Sequence, residues 1–168
     1  LWIWMLFRYR VKILGKENLP QEKGTSYIVA SNHSSLLDPP VISKVFGYQP
    51  IAYMAKVELF ATPITKWLFK SLGAFSVNRQ KVDIGTMRSA KEVIKTGDWY
   101  LGIFPEGTRN AREETLSIKR GVATIAQITQ ADVIPLGISR GGKKGRQVVV
   151  VIGKPIPTRQ FATTDAMA

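Results

Sequence analysis

Apolar positions along this chain follow two rhythms that take turns. Short runs rich in β-branched and aromatic residues predict strands at about Tyr27 to Ser31, Ile51 to Ala55, Ala74 to Asn78, Tyr100 to Phe104, Val133 to Ser139 and Val148 to Ile152. Between them, a helical spacing predicts helices after Asp38, over roughly Leu59 to Leu72, from Ile84 to about Lys95 and near Lys119 to Gln130. Strands alternating with helices in this way imply an α/β single domain: a largely parallel mixed sheet covered by helices on both faces. Asp38-Pro39-Pro40 reads as a helix start, with the aspartate at the N-cap and Pro39 at the first helical position. No repeat, low-complexity tract or Pro/Gly-rich linker divides the chain.

A length of 168 residues is enough to bury one real core and too short for two comfortable ones. The start, Leu1-Trp2-Ile3-Trp4-Met5-Leu6-Phe7, is apolar but far below the roughly 20 residues of a membrane span. Its tryptophans, followed by Arg8, Arg10 and Lys12, fit an interfacial anchor with a basic cytoplasmic flank, and an ordinary core helix is the plainer alternative. Residues 1–20 are therefore expected to be a membrane-proximal segment and residues 21–168 the catalytic domain. A first residue other than Met fits an apolar run that continues upstream.

The formal charge is +12, from 24 Lys and Arg against 12 Asp and Glu, which calls for an anionic partner without choosing among nucleic acid, anionic lipid and a phosphorylated small molecule. The absence of cysteine removes disulfides, a thiol nucleophile and the usual structural zinc sites. With a single histidine, all imidazole chemistry must run through His33.

That histidine lies in Ser31-Asn32-His33-Ser34-Ser35-Leu36-Leu37-Asp38, just past a predicted strand and five residues ahead of an aspartate. One imidazole and one carboxylate suffice for a general base and its orienting partner. As bare spacing the pair is common, but it falls where strand ends in open α/β sheets build sites. A second block, Ile103-Phe104-Pro105-Glu106-Gly107-Thr108-Arg109, also follows a predicted strand and gathers a carboxylate, a hydroxyl and a guanidinium. Taken alone it is a turn with a surface ion pair, just as Arg79, closing Gly73-Ala74-Phe75-Ser76-Val77-Asn78-Arg79, is by default solvated.

Together and in this order, with Val133-Ile134-Pro135-Leu136 as a fourth block, these motifs resemble the PlsC-type glycerolipid acyltransferase family over roughly residues 25–140. The first and third motifs carry the resemblance; Met54 to Phe60 and Ile118-Lys119-Arg120-Gly121 also look like family segments, whereas the family's N-terminal membrane-binding helices are mostly missing. The resemblance implies transfer of a fatty acyl group from an acyl-CoA or acyl-carrier-protein thioester to the hydroxyl of 1-acyl-glycerol-3-phosphate (lysophosphatidic acid), giving phosphatidic acid. Glycerol-3-phosphate or another lysophospholipid is the nearest alternative acceptor. His33 is then the base and Asp38 its orienter. The thioester is already activated, so the missing ingredient is proton removal from the hydroxyl, worth about 10²–10⁴-fold, and no acyl-enzyme is required. Glu106, Gly107, Thr108, Arg109 and Arg79 are expected to face the glycerol phosphate, where a planar guanidinium bonds two oxygens at once. Lys119 and Arg120, opening a helix, would add charge. Lys56 is either a helper for the tetrahedral oxyanion or a surface lysine. The aromatic- and lysine-rich stretch Glu58 to Lys70 is either an interfacial or acyl-lining helix or part of the core.

Other readings fare worse. Gly137-Ile138-Ser139-Arg140-Gly141 matches a hydrolase elbow by spacing, but it leads into a loop and another strand rather than a helix, and the histidine lies upstream. The basic residues, including Arg140, Lys143, Lys144 and Arg146, form no recognised nucleic-acid motif and are spread over the chain, so no nucleic-acid partner is expected, and a non-catalytic basic lipid- or nucleic-acid-binding domain is the alternative to the enzyme. Asn32-His33-Ser34 is a glycosylation sequon inside the proposed site and is discounted. One histidine without cysteine leaves only scattered carboxylates as metal ligands, so neither a metal nor a cofactor is expected beyond the thioester co-substrate. The partners expected are lysophosphatidic acid, acyl-CoA or acyl carrier protein, and an anionic membrane surface, on the cytoplasmic face of the inner or cell membrane.

Overall fold

A computed structural model of the chain describes residues 10–21, 24–47, 49–71, 73–77, 84–106, 121–141 and 147–158. Seven strands form one sheet: β1 (Arg10–Leu14), β2 (Ile28–Ser31), β3 (Ile51–Lys56), β4 (Ala74–Val77), β5 (Tyr100–Ile103), β6 (Val133–Gly141) and β7 (Gln147–Ile152). Their order is β1-β7-β6-β2-β5-β3-β4. The pairings are parallel except β6 with β7, so the sheet is mixed and largely parallel, as the alternation of strand and helix predicts.

Helix α1 (Asp38–Val45) buries Val41, Ile42 and Val45 on one face of the sheet with Val29, Tyr53, Ile134, Leu136 and Ile138. On the other face, α3 (Ile84–Lys95) and α4 (Gly121–Thr129) bury Ala90, Ile125 and Ala126 with Ile28, Leu101, Ile103 and Val133. Successive strand residues point to opposite faces, which is why Ile28 and Val29, or Val133 and Ile134, fall in different layers.

Two predicted elements differ locally. The helix expected over Leu59 to Leu72 is a 3-10 turn, Val57–Phe60, followed by α2 (Pro63–Ser71). Pro63 occupies the first helical position, and Thr62 and Thr65 satisfy each other's N–H groups with their hydroxyls at 3.2 Å, a reciprocal cap that fixes where the helix begins. Within the stretch expected to stand apart as residues 1–20, Arg10–Leu14 is the edge strand β1, paired in parallel with β7, and the Asn18 side chain donates to the Ile152 carbonyl at 2.8 Å. Sheet pairing thus crosses the expected boundary at residue 20. The basic residues Arg10 and Lys12 alternate with the half-buried Val11 and Ile13, a pattern that keeps an open sheet edge charged. Residues 1–9, with the aromatic start, lie outside the described residues.

Candidate functional site

The register Ala30↔Ile103 between β2 and β5 sets the loops after both strands side by side at the carboxyl end of the sheet. His33 lies two residues beyond β2 and Phe104 immediately beyond β5. The imidazole stacks on the Phe104 ring, with centroids 4.0 Å apart, and Phe104 in turn stacks on Tyr53 at 5.9 Å. Tyr53 reaches this position across Gly102, its register partner on β5, where any Cβ would collide with the Tyr53 ring. The Tyr53 hydroxyl donates to the Pro39 carbonyl at 3.0 Å, tying β3 to the first turn of α1. Burial pushes the Tyr53 phenol well above its usual pKa despite a hydrogen bond to Ser43, so it remains a neutral donor.

Asp38 is fully buried and accepts hydrogen bonds on both carboxylate oxygens. Its Oδ2 takes His33 Nδ1 at 3.1 Å and the N–H groups of Ser34 and Ser35 at 2.7 Å each. Its Oδ1 takes the Arg140 guanidinium. Burial raises the Asp38 pKa, but the hydrogen bonds from His33 and Arg140, and those from the Ser35 and Ser34 backbone, outweigh it and hold the carboxyl below its usual value. An ionised acceptor opposite Nδ1 selects the Nδ1–H tautomer, leaving Nε2 with the free lone pair that a base requires.

The expectation that Asp38 caps α1 is corrected. The N-cap is Leu37, Asp38 is the first helical residue, and its carboxylate turns back to the N–H groups of Ser34 and Ser35 rather than forward to its own helix. A side chain that must meet His33 has its acceptors committed elsewhere, and Pro39 and Pro40 reduce the number of N–H groups left to cap.

Asn32 continues the sheet with its side chain. Its Nδ2 donates to the Ile138 carbonyl at 2.8 Å and its Oδ1 accepts the Ile138 N–H at 2.7 Å, so an amide replaces the next rung of the β2–β6 ladder and the main chain is released to turn at His33. Glu106 lies beside the same turn, its Oε2 3.5 Å from the His33 N–H. Lys56, at the end of β3, is exposed and pairs with Glu58 at 2.8 Å; it makes no ion pair with Asp38. Arg79, Gly107, Thr108, Arg109 and Lys119 fall outside the described residues. The elbow-like Gly137 to Gly141 lies wholly within β6.

Sequence reasoning places Arg140 only in an elbow-like spacing and a basic cluster, not in the site. A signal was there: Ile134, Leu136, Ile138 and Arg140 alternate along β6, the first three facing α1, so the fourth continues that row past the end of β2 toward the start of the helix. No group of three or more His, Asp or Glu residues suited to a metal occurs among the described residues. None of the described helices is long and apolar enough to cross a membrane.

The sequence model of the family described as Acyltransferase matches residues 10–139. The 1-acyl-sn-glycerol-3-phosphate acyltransferase of Bacillus subtilis is 37% identical over 163 residues, covering 90% of this chain and 76% of that protein. The human 1-acyl-sn-glycerol-3-phosphate acyltransferase alpha is 29% identical over 176 residues, covering 97% of this chain and 60% of its own length. The crystal structure of the 1-acyl-sn-glycerophosphate (LPA) acyltransferase PlsC from Thermotoga maritima matches with a TM-score of 0.74 at 28% identity, covering 99% of this chain and 68% of that one.

Proposed function

The chain belongs to the acyltransferase family, and from that membership we propose that it moves a fatty acyl group from an acyl-CoA or acyl-carrier-protein thioester to the free hydroxyl of 1-acyl-glycerol-3-phosphate, yielding phosphatidic acid. The observation that carries the reading is the contact between His33 Nδ1 and the buried Asp38 carboxylate at the carboxyl end of the sheet.

In this mechanism His33 Nε2 takes the proton of the acceptor hydroxyl as its oxygen attacks the thioester carbonyl. Asp38 fixes the tautomer and favours the imidazolium that forms. Collapse of the tetrahedral intermediate breaks the carbon–sulfur bond, and the departing thiolate receives the proton from His33. The acceptor oxygen plays the part of an enzyme nucleophile, so no acyl-enzyme forms. The stack of His33, Phe104 and Tyr53 fixes the plane of the ring, which matters because misaligned proton transfer forfeits much of a base's contribution. Arg79 and Arg109 bind the acceptor phosphate, with Glu106, Gly107, Thr108 and Lys119 framing it. Lys56, exposed and paired with Glu58, either helps the tetrahedral oxyanion or is a surface lysine. The enzyme works at an anionic membrane surface, where its acceptor resides, on the cytoplasmic face.

Release of free thiol from an acyl-CoA, measured against a panel of lysophospholipid and glycerol-3-phosphate acceptors, tests the assignment. His33→Ala is expected to remain folded by circular dichroism and to lose at least about 10²-fold in kcat. Near-normal turnover in that variant would remove the base from the mechanism.

A further inference from the structure

Stability alone gives no reason for a guanidinium on the second oxygen of Asp38. A buried ion pair is commonly no more stable than apolar side chains filling the same volume, because both charges must leave water. The pair joins residues 102 apart in sequence, and its arginine side chain is only 17% exposed. Oδ2 already has three donors, and Arg140 fills Oδ1 from the opposite side. A carboxylate clamped at both oxygens cannot rotate about its terminal torsion, which is otherwise broad.

We propose that Arg140 is a positioning residue of the proton-transfer pair: it locks the Asp38 rotamer that aims Oδ2 at His33 and offsets part of the negative charge the imidazole senses. This inference rests on His33 acting as the base. Its second half has a definite sign. A carboxylate shared with a cation stabilises the imidazolium less, so taking the guanidinium away strengthens the pull of Asp38 on a proton at His33. Among the described residues, the charged groups around His33 are Asp38 from α1 and Glu106 from the loop after β5, with Arg140 of β6 reaching it through Asp38. Phe104 and Tyr53 supply the neutral wall.

The test compares Arg140→Gln, Arg140→Lys and His33→Ala in the full chain with acyl-CoA and lysophosphatidic acid. For Arg140→Gln, the acidic limb of the kcat/KM profile is expected to move to higher pH by about half a unit or more, and kcat to fall about tenfold or more, with KM for the acceptor little changed. Arg140→Lys keeps a charge in place and should restore the limb and part of kcat. Because His33 is the only histidine, an imidazole NMR titration reads the same movement without turnover. An unmoved limb and an unmoved imidazole titration in Arg140→Gln overturn the proposal, whether or not kcat falls. Turnover by His33→Ala overturns the base assignment instead, so the two failures are distinguishable. Should Arg140→Gln fail to fold, the wild-type guanidinium gives the answer: slowly rotating Nη resonances that are lost in Asp38→Asn support the clamp, and resonances equally mobile in both proteins overturn it.

Discussion

Replacing Asp38 by Asn removes one charge and a single acceptor atom, and the geometry leaves the amide no good orientation. In the native protein Oδ2 accepts from His33 Nδ1, Ser34 N–H and Ser35 N–H, while Oδ1 accepts from Arg140. With its carbonyl toward His33, the new NH2 group faces the guanidinium and removes the buried ion pair with Arg140. In the opposite orientation two backbone N–H groups lose their acceptor, and Nδ1 must accept rather than donate, which moves the proton to Nε2 and disables the base. Each buried group left without a partner costs about 1–3 kcal/mol, and breaking a buried ion pair about 3–5 kcal/mol, so a loss of about 3 kcal/mol in unfolding free energy is expected at neutral pH. Turnover should drop by about 10²–10⁴-fold.

The stability loss should itself depend on pH. The folded Asp38 carboxyl titrates below its usual value of 3.8, so its contribution is fully present above that value and is lost as pH falls through the lower folded one. The gap between wild type and Asp38→Asn in urea unfolding, followed by circular dichroism, should therefore be constant near neutrality and narrow below about pH 4. A variant within about 0.5 kcal/mol of wild type at pH 7 and within threefold in thiol release would refute the account of this carboxylate.

Two further outcomes follow from the packing. Gly102→Ala drives a methyl group into the Tyr53 ring, so it should cost about 2 kcal/mol in thermal or urea unfolding and lower kcat by disturbing the stack under His33; a stable, fully active variant would exclude that coupling. On α2, Ile64 and Trp67 are 78% and 71% exposed, one helical turn apart, beside the exposed Lys66 and Lys70. The double variant Ile64→Ser/Trp67→Ser should bind anionic vesicles about tenfold more weakly in high salt, where the apolar contribution dominates; unchanged co-sedimentation would place the membrane contact elsewhere.

Local rhythm determined the repeating elements. Helix α3 begins and ends where its apolar spacing does, and the strands around Val29, Tyr53 and Leu101 are legible because a strand buried on both faces reads as a continuous apolar run. The pairing of His33 with Asp38 was likewise within reach, five residues apart on one turn. Contacts that close across the sheet were not. β1 is half-buried only because β7, more than a hundred residues later, lies beside it, and its Arg-Val-Lys-Ile alternation reads equally well as the basic flank of an anchor. Asp38 before two prolines carries every local mark of a helix cap; its actual role depends on Arg140, delivered by the register of β6, and on Asn32 bonding to Ile138, 106 residues away, which releases the chain at His33. Propensity and periodicity act over one or two turns of chain. The partners of a buried charge are chosen by how the sheet closes, and only the tertiary structure holds that information.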